Sequence, residues 1–262
     1  MCNFQIYSDL HLEFKYDYPK IKKYSDNLIL AGDIGKINDI NYNSFIEYVS
    51  NLWEKVFIVL GNHEYYLLSS HFEKTKKKYK KYLSKFDNIY LLDCNEHIID
   101  NDTIILGATF WTKIDKSIKL KINDFNIIKY YDIEKRKRCY ITDVFINKEH
   151  LKEKEWLKKM LIKKDVIKYK NIIIISHFPL TRFNTSHIKY DNQTDDLKNY
   201  FSNDFDDILQ DKFENKIYQI AGHTHHNYNF VKNGINYLSN QFGYTEDSDC
   251  INSFNDKYIL DI

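Results

Sequence analysis

The sequence predicts an α/β fold, and three observations carry that prediction. Short apolar runs alternate with longer amphipathic stretches, the order expected of βαβ units whose sheet is covered on both faces. Two late runs flank Asn233-Gly234, the strongest short-range hairpin signal, so part of the sheet system is antiparallel. Five of the runs stop on an Asp, Asn or His, the placement of functional residues at the carboxyl ends of strands in α/β folds.

Taken in order, the apolar runs place strands at Phe4–Tyr7 and Leu28–Ala31, followed by a helix around 41–54. A strand at Val56–Leu60 precedes a helix around 69–85, and strands follow at Ile89–Leu92 and Thr103–Ala108. Residues 111–146 lack periodicity and mix charges, which reads as a long excursion over the edge of the active site. A helix around 147–168 leads to a strand at Asn171–Ile175, and a helix around 194–211 to one at Ile217–Ala221. The hairpin pairs Tyr228–Lys232 with Ile235–Ser239, and Lys257–Ile262 closes the chain as a strand. No Pro-, Gly- or Ser-rich linker interrupts the order. The polar strand ends span residues 9 to 225, so any cut would split them, and residues 1–262 are expected to form a single domain.

Composition narrows the function. A formal net charge of +1 gives no general attraction to nucleic acid or anionic membrane. The four cysteines, Cys2, Cys94, Cys139 and Cys250, are scattered without a CxxC spacing and read as free thiols of a reducing compartment. The first residues lack the charged-then-apolar build of a secretory leader, and no apolar run approaches the ~20 residues that cross a bilayer. The expected setting is cytoplasmic, with no membrane partner.

The five segments are SDLHLE at 8–13, AGDIG at 31–35, GNHE at 61–64, SHFP at 176–179 and GHTH at 222–225. Their Asp9, His11, Asp33, Asn62, His177, His223 and His225 mix carboxylate, amide and imidazole donors. That set suits Mn²⁺, Fe²⁺ or Zn²⁺ better than Mg²⁺ or Ca²⁺, which favour oxygen alone. One bridging aspartate would let seven ligands hold two ions about 3.5–4 Å apart, a spacing that orients a phosphoryl group and acidifies a bridging water. A lone DxH or GD reads as a turn or a cap and a lone GHTH as a satisfied loop, GNHE is sharper, and all five in order do not fit that reading. Only seven glycines occur in the chain, yet Gly32, Gly61 and Gly222 each directly precede a proposed ligand.

The ordered set DxH, GD, GNHE, an isolated His after a strand, and GHxH resembles the calcineurin-like metallophosphoesterase superfamily, from Asp9 to Glu246. The resemblance implies a four-layer α/β/β/α sandwich of two mixed sheets, with the metal site at the carboxyl ends of strands. It implies one metal on Asp9, His11, Asp33 and His225 and another on Asp33, Asn62, His177 and His223, with Asp33 as the bridge. His63 would bind no metal; it would contact the scissile phosphate and stabilise or protonate the leaving group. FWT at 110–112, NDF at 123–125 and NQFGYTE at 240–246 are similar to motifs of the small single-domain bacterial-type branch. Phosphoprotein phosphatases read GDxxDRG, but Ile34-Gly35-Lys36-Ile37 follows Asp33 here. The expected partner of His63 and the phosphate-gripping Arg are both missing from that position, which argues against a protein phosphatase.

The expected activity is hydrolysis of a small phosphodiester, or a phosphomonoester, by attack of a metal-bridging hydroxide. The alternative is a metal-dependent nuclease acting on DNA or RNA through KTKKKYKKYLSK at 74–85. Phe72, Tyr79, Tyr82, Leu83 and Phe86 recur there at helical spacing, so the favoured reading is a buried stripe with a solvated lysine face. A non-catalytic scaffold is the third reading, and the full donor set argues against it. Around the site, His226 reads as supporting or solvated, and Arg182, His187 and Tyr190 as a plain surface loop, with bringing a cation to phosphate as the lesser alternative. Trp111 and Phe125 could stack on a base or simply pack.

Overall fold

The computed structural model describes residues 2–115, 122–190, 195–210 and 214–262. Its strands are β1 (Asn3–Tyr7), β2 (Asn27–Ala31), β3 (Lys55–Val59), β4 (Ile89–Leu91), β5 (Asn95–Ile98), β6 (Thr103–Gly107), β7 (Lys129–Asp132), β8 (Lys137–Tyr140), β9 (Asn171–Ile175), β10 (Lys216–Ile220), β11 (Tyr228–Lys232), β12 (Ile235–Ser239) and β13 (Ile259–Asp261). Its helices are α1 (Ile40–Leu52), α2 (Phe72–Leu83), α3 (Asp124–Ile127), α4 (Asp143–Ile162), α5 (Lys164–Ile167), α6 (Asp195–Phe201) and α7 (Ser248–Ser253).

Two mixed sheets form. The first runs β13-β1-β2-β3-β4 and is parallel except for β13. The second runs β11-β12-β10-β9-β6-β5, with a parallel centre and an antiparallel strand at each edge. Strand alternation stacks them. In β9, Ile173 and Ile175 meet Ile29, Phe57 and Val59 of the first sheet, while Ile172 and Ile174 pack on Leu157 and Leu161 of α4. In β2, Ile29 and Ala31 face inward, and Leu28 and Leu30 pack on Phe45, Ile46 and Val49 of α1. Strands buried on both faces read as unbroken apolar runs, and two such sheets with outer helices make the four-layer α/β/β/α sandwich.

Side-chain oxygens cap the starts of α1 and α4. Asp39 accepts from Asn41 N at 2.9 Å ahead of α1, and Thr142 from Phe145 N at 3.2 Å ahead of α4. In α2, Phe72, Thr75, Tyr79 and Leu83 are buried in a stripe. The late hairpin is β11–β12, and Asn233 and Gly234 carry the positive φ values, 50° and 71°, that a tight primed turn requires.

Three expectations need correction. The helix expected around 194–211 ends at Phe201; residues 191–194 and 211–213 lie outside the described residues. Beyond it, Asn203 N donates to Pro179 O at 2.8 Å and Phe205 N to Leu180 O at 3.0 Å, so the chain binds the loop after β9 instead of winding on. The helix expected around 147–168 begins at Asp143 and breaks at Lys163 into α4 and α5. The excursion 111–146 holds α3 and a β7–β8 hairpin, while 116–121 lie outside the described residues. That hairpin, like edge strand β5, is largely exposed, so neither has the apolar pattern that would reveal it. Among the described residues, no helix is long and apolar enough to cross a membrane.

Midway along α4, Glu153 is fully buried, and its Oε2 accepts from Trp111 N at 2.8 Å. Burial pushes its carboxyl from an ordinary 4.5 up to about 8. The protonated form is therefore favoured by folding, so this contribution is complete below pH 4.5 and lost as pH rises to about 8. Glu153→Gln, neutral throughout, escapes that loss. Urea unfolding at several pH values should move the stability difference in the variant's favour by about 1.4 kcal/mol per pH unit across that window. A difference independent of pH would contradict the assignment.

Candidate metal centre

Strands β1, β2 and β3 are parallel and end on one edge, and parallel β9 and β10 end beside them in the second sheet. Backbone bonds join the first loop to the second and the fourth to the fifth. Asp9 N donates to Gly32 O and His11 N to Asp33 O, each at 3.0 Å, and Gly222 N donates to His177 O at 3.0 Å. A bridge between Ser8 and Gln241 ties the sheets together at this end, and Gln241 Oε1 accepts from His225 N at 2.6 Å. Asp9, His11, Asp33, His223 and His225 all hold positive φ, between 46° and 74°. Asp and His tolerate that region better than most residues, though still at a cost.

Two glycines are required by close approach. A Cβ on Gly61 would lie 2.2 Å from Asp33 Oδ1, and one on Gly222 would lie 2.4 Å from Asp9 Oδ2. Glycine precedes Asn62 and His223 because a neighbouring strand end fills the space, the Asp33 carboxylate in one case and the Ser8 hydroxyl with the Asp9 carboxylate in the other.

All eight residues anticipated from sequence meet here. Asp9, His11 and His225 form one group: His225 Nε2 is 3.5 Å from Asp9 Oδ1 and 3.1 Å from His11 Nε2. Asp33, His177 and His223 form the second, where His177 Nε2 lies 3.4 Å from Asp33 Oδ2 and 3.1 Å from Asn62 Oδ1. Asp33 Oδ2 is also 3.9 Å from His11 Nε2, so this one carboxylate stands between both groups. The Nε2 of His223 is buried and has no hydrogen-bond partner among the described residues.

The outer nitrogens of the imidazoles are anchored, which turns Nε2 toward the centre. His177 Nδ1 donates to Ala31 O at 3.0 Å, His11 Nδ1 meets Glu13 Oε1 at 3.4 Å, and His225 Nδ1 bonds Asp247 Oδ2. Asn62 is oriented by Asp124, whose Oδ1 accepts from Asn62 Nδ2 at 2.9 Å and from Tyr66 OH at 2.5 Å. Tyr200 OH donates to the other oxygen at 3.1 Å. Glu64 accepts from the N–H groups of Gly61 (2.7 Å), Ile34 (2.8 Å), Asp33 (3.0 Å) and Gly35 (3.3 Å), so it staples two strand ends.

His63 has a partner after all. Its Nδ1 lies 3.0 Å from Glu13 Oε1, its Nε2 lies 3.0 Å from Tyr244 OH, and its ring stacks on Tyr66 at 4.3 Å. Glu13, Glu64, Asp124 and Tyr244 lie inside SDLHLE, GNHE, NDF and NQFGYTE, segments already singled out, but their roles depend on long-range proximity. Asp247 carried no sequence signal.

The electrostatics follow from burial and mutual attraction. Burial opposes ionisation of Asp33, yet His177, His63 and His11 outweigh it and hold the carboxyl well below its usual range. Burial likewise opposes charge on His177 and His225. Asp33 raises the first to about 9, and Asp247 and Asp9 raise the second to about 10. His223 is driven the other way, by burial and by neighbouring His177. This donor set can hold divalent cations.

Above the groups opens a cleft of ≈ 540 Å³, walled by residues including Tyr66, Arg182, Tyr190, Tyr200 and Phe201. Trp111 and Phe125 pack into the core instead. His226 and His187 line a separate, shallower depression that also touches His225.

Residues 4–227 match the family model of calcineurin-like phosphoesterases. The chain belongs to that family. It is also 31% identical to an uncharacterised protein of Acanthamoeba polyphaga mimivirus, over 97% of this chain and 95% of that one. In structure it is similar to the phosphopantetheinyl hydrolase of Mycobacterium tuberculosis. That match has a TM-score of 0.68 at 13% identity and covers 94% of this chain and 90% of that one, a likeness of fold. Phosphoester hydrolysis supported by metal is the chemistry this family brings, and His/Asp groups able to bind metal stand at the strand ends.

The close approach of Gly61 to Asp33 is testable. Gly61→Ala should push the Asp33 carboxylate out of place while leaving the sheets intact. Wild-type protein should gain about 2.7 kcal/mol of unfolding free energy per ion bound in Mn²⁺ or Zn²⁺ at 100 times the dissociation constant, and the variant should lose most of that gain.

Proposed function

We propose that this protein is a binuclear metal-dependent phosphoesterase, its residues 1–262 working as one domain on a small phosphate ester. One divalent ion is assigned to Asp9, His11, Asp33 and His225, and the other to Asp33, Asn62, His177 and His223. The observation that carries this reading is Asp33 Oδ2, 3.4 Å from His177 Nε2 and 3.9 Å from His11 Nε2, standing between two clusters of inward-facing donors. The fit is supported by the unpartnered, buried Nε2 of His223 and by the Nε2 atoms of His11 and His225 converging at 3.1 Å. Mixed nitrogen and oxygen donors favour Mn²⁺, Fe²⁺ or Zn²⁺.

When bound, such a pair supplies the acidity that makes water a nucleophile near neutral pH, and the positive charge that balances phosphoryl oxygens. The chain supplies the rest. Asp124 and the anchors on His11, His177 and His225 fix the donors. His63, its Nδ1 held 3.0 Å from Glu13 Oε1, is placed to hold the proton for the leaving group. The aromatic wall of Tyr190, Tyr200 and Phe201 gives room for an ester group beyond the phosphorus, which supports a diester over a monoester. The absence of the protein-phosphatase clamp after Asp33 agrees with this. Free cysteines fit a cytoplasmic setting.

The nuclease reading draws no support from the cleft: Lys76, Lys77 and Lys80 of α2 line a different depression, and Lys76 Nζ pairs with Asp93 Oδ1 at 2.6 Å.

Hydrolysis of bis-p-nitrophenyl phosphate with metal analysis tests the assignment. Asp33→Asn should lower the content of both ions and abolish activity. His63→Ala should keep both ions and lose about 10²–10⁴-fold in kcat. Full activity in metal-loaded His63→Ala would remove His63 from the reaction.

A further inference from the structure

Both ring nitrogens of His63 are engaged. Nδ1 is 3.0 Å from Glu13 Oε1 and Nε2 is 3.0 Å from Tyr244 OH. The ring cannot easily turn to another partner, because Tyr66 stacks on it at 4.3 Å and His11 meets it edge-on at 4.5 Å. Tyr244 is equally fixed. Its ring lies 4.4 Å from that of His11 and 4.5 Å from that of His225, and its backbone N donates to Asp247 Oδ2 at 3.1 Å. Gly243 N, one residue earlier, donates to Asp9 O at 3.0 Å. The phenol thus caps the imidazole on the wall of the cleft, directly above the first group of donors.

We propose that Tyr244 is a further catalytic residue, which passes the proton of His63 to the leaving-group oxygen. This rests on the phosphoesterase reading above and on His63 as its acid. Glu13 is the positioning residue at the far end, fixing the tautomer by accepting Nδ1–H. The proton path then runs imidazolium, phenol, leaving group. As the bond from phosphorus to the leaving oxygen breaks, that oxygen takes the phenol hydrogen, and the phenol oxygen takes the Nε2 hydrogen of His63. His63 ends neutral with Nδ1–H still on Glu13, and Tyr244 ends unchanged. The proton that water releases on attacking phosphorus returns to His63 through solvent, so atoms and charges balance. A phenol suits this task because it donates and accepts through one atom and keeps its hydrogen near neutral pH.

Tyr244→Phe tests the relay, since it keeps the ring against His11 and His225 and removes only the hydroxyl. The probes are bis-p-nitrophenyl phosphate, diphenyl phosphate and the thymidine dinucleotide, whose leaving oxygens need protonation increasingly in that order. Metal content should match wild type, and the ¹⁵N resonance of His63 Nε2 should shift as its partner is lost. The loss in kcat should grow along the series, to about 100-fold or more for the dinucleotide. His63→Ala should show the same steepening.

An equal loss on all three probes, or none, in Tyr244→Phe overturns the relay. If His63→Ala alone steepens, His63 donates directly and only Tyr244 is misassigned. If neither variant steepens, both the relay and His63 as the acid fail.

Discussion

The arrangement turns on one buried carboxylate. Asp33 is 2% exposed at the junction of two sheets, where an isolated charge would cost several kcal/mol. Its surroundings are built to hold it. Gly61 leaves space for Oδ1, His63 N donates to that oxygen at 2.8 Å, and the imidazoles of His11 and His177 face Oδ2. Glu64 fixes the turn from below by collecting four backbone N–H groups. Three strand-end segments, AGDIG, GNHE and SHFP, are therefore tied to a single side chain, and moving it disturbs both donor groups together.

Strain and charge point the same way. Among the described residues, five of the ten non-glycine positions with positive φ are Asp9, His11, Asp33, His223 and His225, each costing about 1–3 kcal/mol. Such conformations persist only where surrounding structure over-determines them. Here the isoleucine-rich layer between the sheets and the Ser8–Gln241 bridge do so. Raised pKa values on His177 and His225 balance the carboxylates with protons, a role that divalent cations would take over by displacing them.

Much of this was legible in the sequence. Strands such as β2 and β9 are buried on both faces, so their runs Leu-Ile-Leu-Ala and Ile-Ile-Ile-Ile stand out, and the donors follow immediately. The β7–β8 hairpin and edge strand β5 were illegible because little of their surface is buried. The end of α6 is set by Asn203 and Phe205 binding residues more than twenty positions earlier, a contact no local pattern encodes. Supporting residues were the hardest. Asp124 reaches Asn62, Glu13 reaches His63, and Asp247 reaches His225 across long stretches of chain. NDF and NQFGYTE could be noticed as motifs, yet only the fold reveals that one orients the Asn62 amide and the other caps the His63 imidazole.

The central claim is that Asp33 joins two ions into one centre. Electron paramagnetic resonance of protein loaded with Mn²⁺ and freed of excess metal tests it most directly. Two ions per chain with an exchange-coupled spectrum, converted by Asp33→Asn to weak uncoupled binding, is the predicted result. One ion per chain, or two giving only the six-line signal of isolated Mn²⁺, would contradict it.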